Sequence, residues 1–498
     1  MKKIYNPLRS TLSIILLFAA TFHVNAQSTV SKKGQASLKT YEKYFEDNKD
    51  AHLKEFYELV STPSISSMAA HKPDVEKAAA WIVNKLQSIG MTTAKSIPTP
   101  GSPVVFGSWE GAKGKPTILI YAHYDVQPVK EAEWNSPPFT PTVKDGRIYG
   151  RGASDDKCGI MIPIWAVEAI MKNGKTLPVN IKFLFDGEEE IGSPDLHKFL
   201  VDNKEMLKAD FALNADGGQF DENTPSVWMA LRGAVQMEFS VKTANFDAHS
   251  GLYGGKTPNS AKALAQIISS FYNDDGSVAV EGFYDNVAPI TDAEHEMVKK
   301  IPYDAAKDMK ELGATAEVGE EKYAPLERVW YRPTLEIVGM QGGYTAPEGF
   351  SNIIPGSAMA RITCRLVSNQ NGDEVVQSII KHIKNHAPVG ATVDFKLSRG
   401  YAHPMKFPSD TKAFSYISDV LTAVYGKPPL QTAIGGSVGP LIDMKEQLGL
   451  YAYSFDIQLP DEKAHASNEF LRMASIRKGQ MLYCNYFVLV GEKEKVKK

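Results

Sequence analysis

The runs TILIYAHYD, NIKFLFDGEEE, FALNAD and YAYSFDI share one pattern: consecutive apolar residues, then an abrupt change to polar and acidic ones. Such runs fit strands buried on both faces. Helical patterns lie between them. In DVEKAAAWIVNKLQSI (74–89), Val75, Ala78, Ile82, Leu86 and Ile89 recur at helical spacing, with Gly90 as the stop. Gly159 to Met171 is apolar nearly all round, which predicts a buried helix. Strands alternating with helices predict an α/β domain with a mostly parallel sheet.

Near residue 231 the pattern changes. RGAVQMEFSVKT and MARITCRLV alternate apolar and polar positions, as half-exposed antiparallel strands do. Helical stretches and a Gly/Asp/Glu-rich region lie between them. The expected division is 27–230 for the first part of the α/β domain, 231–430 for an inserted mixed domain, and 431–498 for the second part. No internal repeat is evident.

The 498 residues, 43% hydrophobic and 23% charged, are enough for more than one domain core. The first 26 residues read as a signal peptide rather than as fold. Lys2, Lys3 and Arg9 precede an apolar stretch from Thr11 to Phe22, and Val24-Asn25-Ala26 offers a cleavage site. Cleavage there removes three positive charges and no acid, taking the net charge from −3 to −6. No later stretch is long and apolar enough for a membrane helix. The expectation is an exported protein, periplasmic or secreted, with no membrane contact after cleavage. No Lys/Arg cluster with interleaved aromatics is present, which argues against a nucleic-acid partner. Three irregularly spaced cysteines, Cys158, Cys364 and Cys484, make neither a disulfide framework nor a cysteine-based zinc site. Any metal must be held by histidine and carboxylates.

The polar ends of the strands carry that chemistry. In YAHYDVQP, His123 and Asp125 are two apart and share one face of an extended chain. A carboxylate beside an imidazole fixes its tautomer for metal binding; the alternative is a hydrogen-bonded strand end. GRGASDDK presents Asp155 and Asp156, DGEEEIGS three successive glutamates, NADGG Asp216, and DEKAHASNE His465. Singly, the acid-rich loops read as solvated turns, Gly217-Gly218 as a turn, and His465 as a satisfied surface or core histidine. Together they stand at the carboxyl ends of strands, where open α/β sheets gather ligands. Clustered carboxylates repel one another, and a cation compensates them. Two histidines with carboxylates suit zinc, or manganese, and five or more ligands suffice for two ions. Within the glutamate run, one residue can bind metal while its neighbour acts as general base.

In order along the chain stand H-x-D-V-Q-P, G-R-G-x-x-D-D-K, E-E-x-G-S, a mid-chain Asp, D-A-H-S-G and H-x-x-N-E. This set resembles the M20 metallopeptidase family, and within it the carnosinase-type and PepV-type dipeptidases, over about residues 45–490. The resemblance implies a di-metal hydrolase domain with an inserted α+β lid and dimerisation domain. It implies His123, Asp155, Glu190, Asp216 and His465 as metal ligands, with Asp155 bridging two ions and joined to Asp156 by a cis peptide. Asp125 would orient His123, and Glu189 would be the general base acting on a water between the ions. His249, in DAHSGLYGG, would reach into the partner subunit's site of a homodimer. Asn352 and Arg365 would bind the substrate's terminal carboxylate, a task that suits a two-pronged guanidinium, although Arg365 also fits a salt bridge. Gly436 and Ser437 of the glycine-rich loop, and His403, would contact substrate. VEGFYDNV (280–287) is similar to a segment of the dipeptidase branch.

Two residues depart from the family pattern. Ile434 stands where a glutamate that could hold a substrate amino group is common. Cys158 stands where small residues are common, either inert and buried or a site of oxidation. The implied activity is hydrolysis of dipeptides or short peptides with a free C-terminal carboxylate. A deacylase of N-acyl-amino acids or a carboxypeptidase is the neighbouring alternative. A non-catalytic peptide binder would have no need of Glu189 beside five ligands, and a calcium-binding scaffold would not use His123 and His465.

Overall fold

The computed structural model describes residues 30–174, 176–397 and 402–495; the predicted signal peptide lies outside them. The central sheet has six strands in the order Thr93–Ile97, Val104–Trp109, Asn180–Asp186, Thr117–His123, Phe211–Asn214 and Ala452–Ser454. The last four are parallel. The first two join antiparallel. They escape the sequence reading because VVFGSW is buried throughout and TAKSI is mostly polar, so neither shows a strand-like alternation.

The first predicted helix runs Lys72–Ser88, with Val75, Ala78, Ile82 and Leu86 buried. Gly90 follows it at φ 93°, a left-handed conformation that glycine adopts without strain. The all-apolar helix, Lys157–Gly174, packs against the C-terminal helix Met473–Lys493 in the larger core. Each large apolar side chain buried there contributes roughly 1.5–3 kcal/mol. Among the described residues, no helix is long and apolar enough to cross a membrane.

The inserted domain has its own core. Its antiparallel sheet orders Thr334–Gly342, Ser357–Leu366, Gly233–Lys242 and Thr392–Leu397. The helices Ser260–Ser269 and Gly372–His386 pack on one face, around Val235, Phe239, Ile267 and Ile379. The return to the α/β domain comes earlier than the residue 430 expected from sequence. Met405–Lys406 already pairs with Ser226–Leu231, and helix Lys412–Tyr425 sends Phe414, Ile417, Val420 and Leu421 into the larger core. An amphipathic helix shows that it must bury one face, but not against which core. Arg232 is the single residue between the strand Ser226–Leu231 and the first strand of the inserted sheet.

Candidate active site

In the parallel sheet His123 pairs with Asp186, Tyr121 with Asn214, and Asn214 with Ser454. The strand ends are therefore level, and the loops that follow them converge. Asp155 comes from a turn just before helix Lys157–Gly174, whose third residue is Gly159. A Cβ at Gly159 would lie 2.2 Å from both the Ala215 carbonyl oxygen and Asp156 Oδ1. Glycine is what lets this helix start press against the Asp216 loop. The Asp155–Asp156 peptide is cis.

Two triads share one residue. His123, Asp155 and Asp216 offer ligand atoms within 4.8 Å of one another, and so do Asp155, Glu190 and His465. His123 Nε2 lies 3.0 Å from Asp155 Oδ1, and His465 Nε2 lies 3.0 Å from Asp155 Oδ2 and 3.1 Å from Glu190 Oε2. Each oxygen of Asp155 thus faces a different histidine.

Asp125 organises both sides. Its Oδ1 is 3.3 Å from His123 Nδ1, and the carboxylate accepts the Glu189 and Glu190 N–H groups at 3.1 and 3.2 Å. The Ser66 hydroxyl donates to it at 2.5 Å. The three glutamates diverge. Glu188 accepts the Ser102 N–H at 2.7 Å and is structural. Glu190 joins the second triad, held by Gln127 Nε2 at 2.7 Å. Glu189 stands between, within the electrostatic reach of His123, Asp216, Asp155 and Glu190.

Sequence reasoning did not assign the buried carboxylate of Glu469, although H-x-x-N-E contains it. It accepts Arg151 Nη1 at 2.8 Å and the N–H groups of Gly152, Ser154 and Asp155 at 3.1, 2.9 and 3.0 Å. It therefore clamps the turn that carries Asp155. The segment before it is strained: Lys463, His465 and Asn468 all have φ near +60°. That conformation costs about 1–2 kcal/mol per non-glycine residue.

The electrostatics fit cations. Burial pushes Glu189 up to about 8; His123 opposes this, while Asp216, Asp155 and Glu190 add to it. Burial also raises Asp216 to about 6. Hydrogen bonds to Asp155 and Glu190 draw His465 up to about 10. So much converging negative charge calls for positive charge, and each triad supplies one imidazole and two carboxylates to hold it. This donor set fits a divalent ion.

The remaining predicted residues lie mostly on the inserted domain. His249 and Asn352 are exposed and adjacent: His249 pairs with Ile353, and the Ser250 N–H donates to the Asn352 carbonyl at 2.9 Å. His249 Nδ1 accepts the Gly251 N–H at 3.1 Å. Arg365 Nη1 donates to Ser437 Oγ at 3.4 Å, so these two converge. Arg365 forms no ion pair with a carboxylate among the described residues, which removes the salt-bridge alternative. Gly436 accepts the Arg232 N–H beside Ser437. His403 stands near the second crossing between domains, 4.0 Å from Glu446. Cys158 is buried, its Sγ 3.0 Å from the Ser154 carbonyl, and burial pushes the thiol up, the inert alternative.

A mostly parallel sheet with two candidate metal-ligand triads at its carboxyl edge, interrupted by an inserted domain, is the architecture of a metal-dependent hydrolase. The model for peptidase family M20/M25/M40 matches residues 119–488, and the chain belongs to this family. It is a metal-binding peptidase. It is 32% identical over 397 residues to a cysteinylglycine-S-conjugate dipeptidase from Corynebacterium striatum, covering 78% of this chain and 84% of that protein. It is 25% identical over 473 residues to human beta-Ala-His dipeptidase, covering 89% and 91%. Among solved structures it is similar to an M20 family metallo-carboxypeptidase from Sulfolobus solfataricus, with a TM-score of 0.77, 29% identity, and coverage of 89% and 99%.

Proposed function

We propose that the protein is an exported, two-zinc dipeptidase that releases the C-terminal residue of dipeptides carrying a free carboxylate. The observation that carries this reading is the pair of triads joined through Asp155, with Glu189 beside them and bound to neither. His123, Asp155 and Asp216 would hold one ion, and Asp155, Glu190 and His465 the other. Manganese fits the oxygen-rich donor set as the second choice. Bound ions supply Lewis acidity toward the scissile carbonyl and lower the pKa of water at the site.

The chain's own groups do the rest. Glu189, its proton affinity raised by burial, takes a proton from the attacking water and gives it to the leaving amine nitrogen. Asp125 keeps His123 Nε2 aimed at the first triad and the Glu189–Glu190 backbone in place. Arg365, without an acid partner among the described residues, and Asn352 receive the terminal carboxylate.

A homodimer belongs to the same proposal. Phe246 and Leu252 flank His249 in sequence and are both 67% exposed, and Phe350, close to Asn352, is fully exposed. Large apolar side chains exposed beside His249 and Asn352 favour a protein partner, and a second copy would bring His249 to the partner subunit's site. Export rests on Lys2, Lys3, Arg9, the apolar stretch and Val24-Asn25-Ala26. N-terminal sequencing of the exported protein should begin at Gln27.

The deciding experiment compares amino-acid release from free dipeptides and from the same dipeptides N-acetylated, using metal-loaded protein. Faster cleavage of the free form supports the dipeptidase. Preference for the acetylated form would overturn it in favour of a deacylase, and Ile434, which offers an amino group no charge, would then explain the preference.

A further inference from the structure

Arg232 occupies the first crossing between the two domains, and its side chain is buried. It forms no ion pair with a carboxylate among the described residues. Instead it addresses Ile434 to Ser437 of the glycine-rich loop, one after another. Its N–H donates to the carbonyls of Ile434 and Gly436 at 3.3 and 3.0 Å, and its Nε to that of Gly435 at 2.9 Å. Its own carbonyl accepts the Ser437 hydroxyl at 2.7 Å. The other arm of the guanidinium reaches the inserted domain, where Nη1 donates to the Arg332 carbonyl at 3.2 Å. Two residues on, Thr334 pairs with Arg365. Arg365 then closes the circuit on Ser437 Oγ.

The Ser437 hydroxyl is therefore oriented. Its proton goes to the Arg232 carbonyl, which leaves its lone pairs to Arg365. Burying a guanidinium without a directly paired carboxylate is costly; burial and the neighbouring charge of Arg365 pull Arg232 down to about 10, and Glu336 opposes this. A planar fork can span the Gly435 and Arg332 carbonyls at once, which a lysine's single ammonium on a flexible stem cannot do with the same geometry.

We propose that Arg232 is the positioning residue of the carboxylate subsite: it locks the Gly435–Ser437 loop to the inserted domain and so sets Ser437 against Arg365. This rests on the reading of Arg365 as the carboxylate binder. Arg232 itself does not touch the reacting atoms, so its loss should appear in substrate affinity rather than in turnover.

Two variants of the full-length, metal-loaded protein test this. Arg232→Lys keeps the charge and removes the fork. Gly435→Ala keeps the arginine but places a Cβ 2.8 Å from Val329 Cγ1 and 3.1 Å from Arg232 Nη2, displacing the pair from the other side. Each is assayed on a free dipeptide and on its C-terminal amide, with metal content measured alongside. The expected result is a KM for the free dipeptide raised about tenfold or more with kcat within about threefold, and an unchanged kcat/KM for the amide. Should Arg232→Lys fail to fold, Gly435→Ala decides alone. Unchanged KM in the folded variants, or an equal loss on both substrates, overturns the proposal while leaving the carboxylate reading intact. A wild-type enzyme indifferent to amidation overturns the carboxylate reading and this proposal with it.

Discussion

The carboxylate of Asp125 accepts the backbone N–H of Glu189 at 3.1 Å while its Oδ1 lies 3.3 Å from His123 Nδ1. The Asp125 carbonyl also lies 3.1 Å from His123 Nδ1, so one residue holds a candidate metal ligand while its carboxylate anchors the proposed general base. Asp125→Asn keeps the shape but loses the charge, and its amide NH₂ must face the Glu189 N–H in one orientation or the Glu190 N–H in the other. We expect metal affinity to fall by about 10- to 100-fold, and turnover at saturating metal to fall as well, because Glu189 loses its anchor. Metal titration against a competing chelator measures the first effect, and unchanged affinity would contradict the assignment.

Glu189 and Glu190 are neighbours with separable roles. Glu189→Gln should bind metal as the wild type does and lose turnover by at least about 10²- to 10⁴-fold. Glu190→Gln should instead lose metal first, since His465 Nε2 is 3.1 Å from the Glu190 carboxylate. Elemental analysis of both variants after dialysis separates the two. Equal metal loss would refute the division of labour.

Glu469 is fully buried and accepts four hydrogen bonds, one from a guanidinium. Glu469→Gln leaves Arg151 buried without its counter-charge and turns an amide NH₂ toward N–H donors. The expected cost is about 3 kcal/mol of stability, read as a lower urea midpoint, together with weaker metal binding through the loosened Asp155 turn. A midpoint unchanged from wild type would show the clamp to be dispensable.

His52 gives a pH dependence remote from the site. It is 4% exposed and its ring is stacked on Trp165 at 4.8 Å. Burial lowers it from 6.5 to about 4; Glu55 opposes this, while Lys85 and Arg477 add to it. The folded pKa lies below the unfolded one, so the unfolded chain binds more protons between them. The stabilisation is complete above about 6.5 and disappears as the pH falls through 4, a total of about 3 kcal/mol. Urea midpoints between pH 7 and 4 should fall less steeply in His52→Phe than in the wild type. Parallel curves would exclude His52 as a source of acid sensitivity.

Much of this was legible in the residues. Parallel strands buried on both faces must be continuous apolar runs, and their polar ends are where His123, the Glu188–Glu190 run and Asp216 stand. The helix Lys72–Ser88 followed from the helical spacing within 74–89, and Lys157–Gly174 from the all-round apolar run Gly159 to Met171. What the residues could not show was which distant groups meet. Glu469 reads as the last acid of a loop, yet it closes on Arg151 and Asp155 more than three hundred positions earlier. Arg232 reads as a strand-edge arginine, and only the packing of two domains turns it toward Gly435 and Arg332. The helix Lys412–Tyr425 advertises an apolar face, and the tertiary fold decides that the larger core receives it. Periodicity and chemistry are local properties, written residue by residue. The pairing of buried charges and the choice of core depend on the whole chain being folded, because a burial cost exists only once the surrounding protein has removed the water.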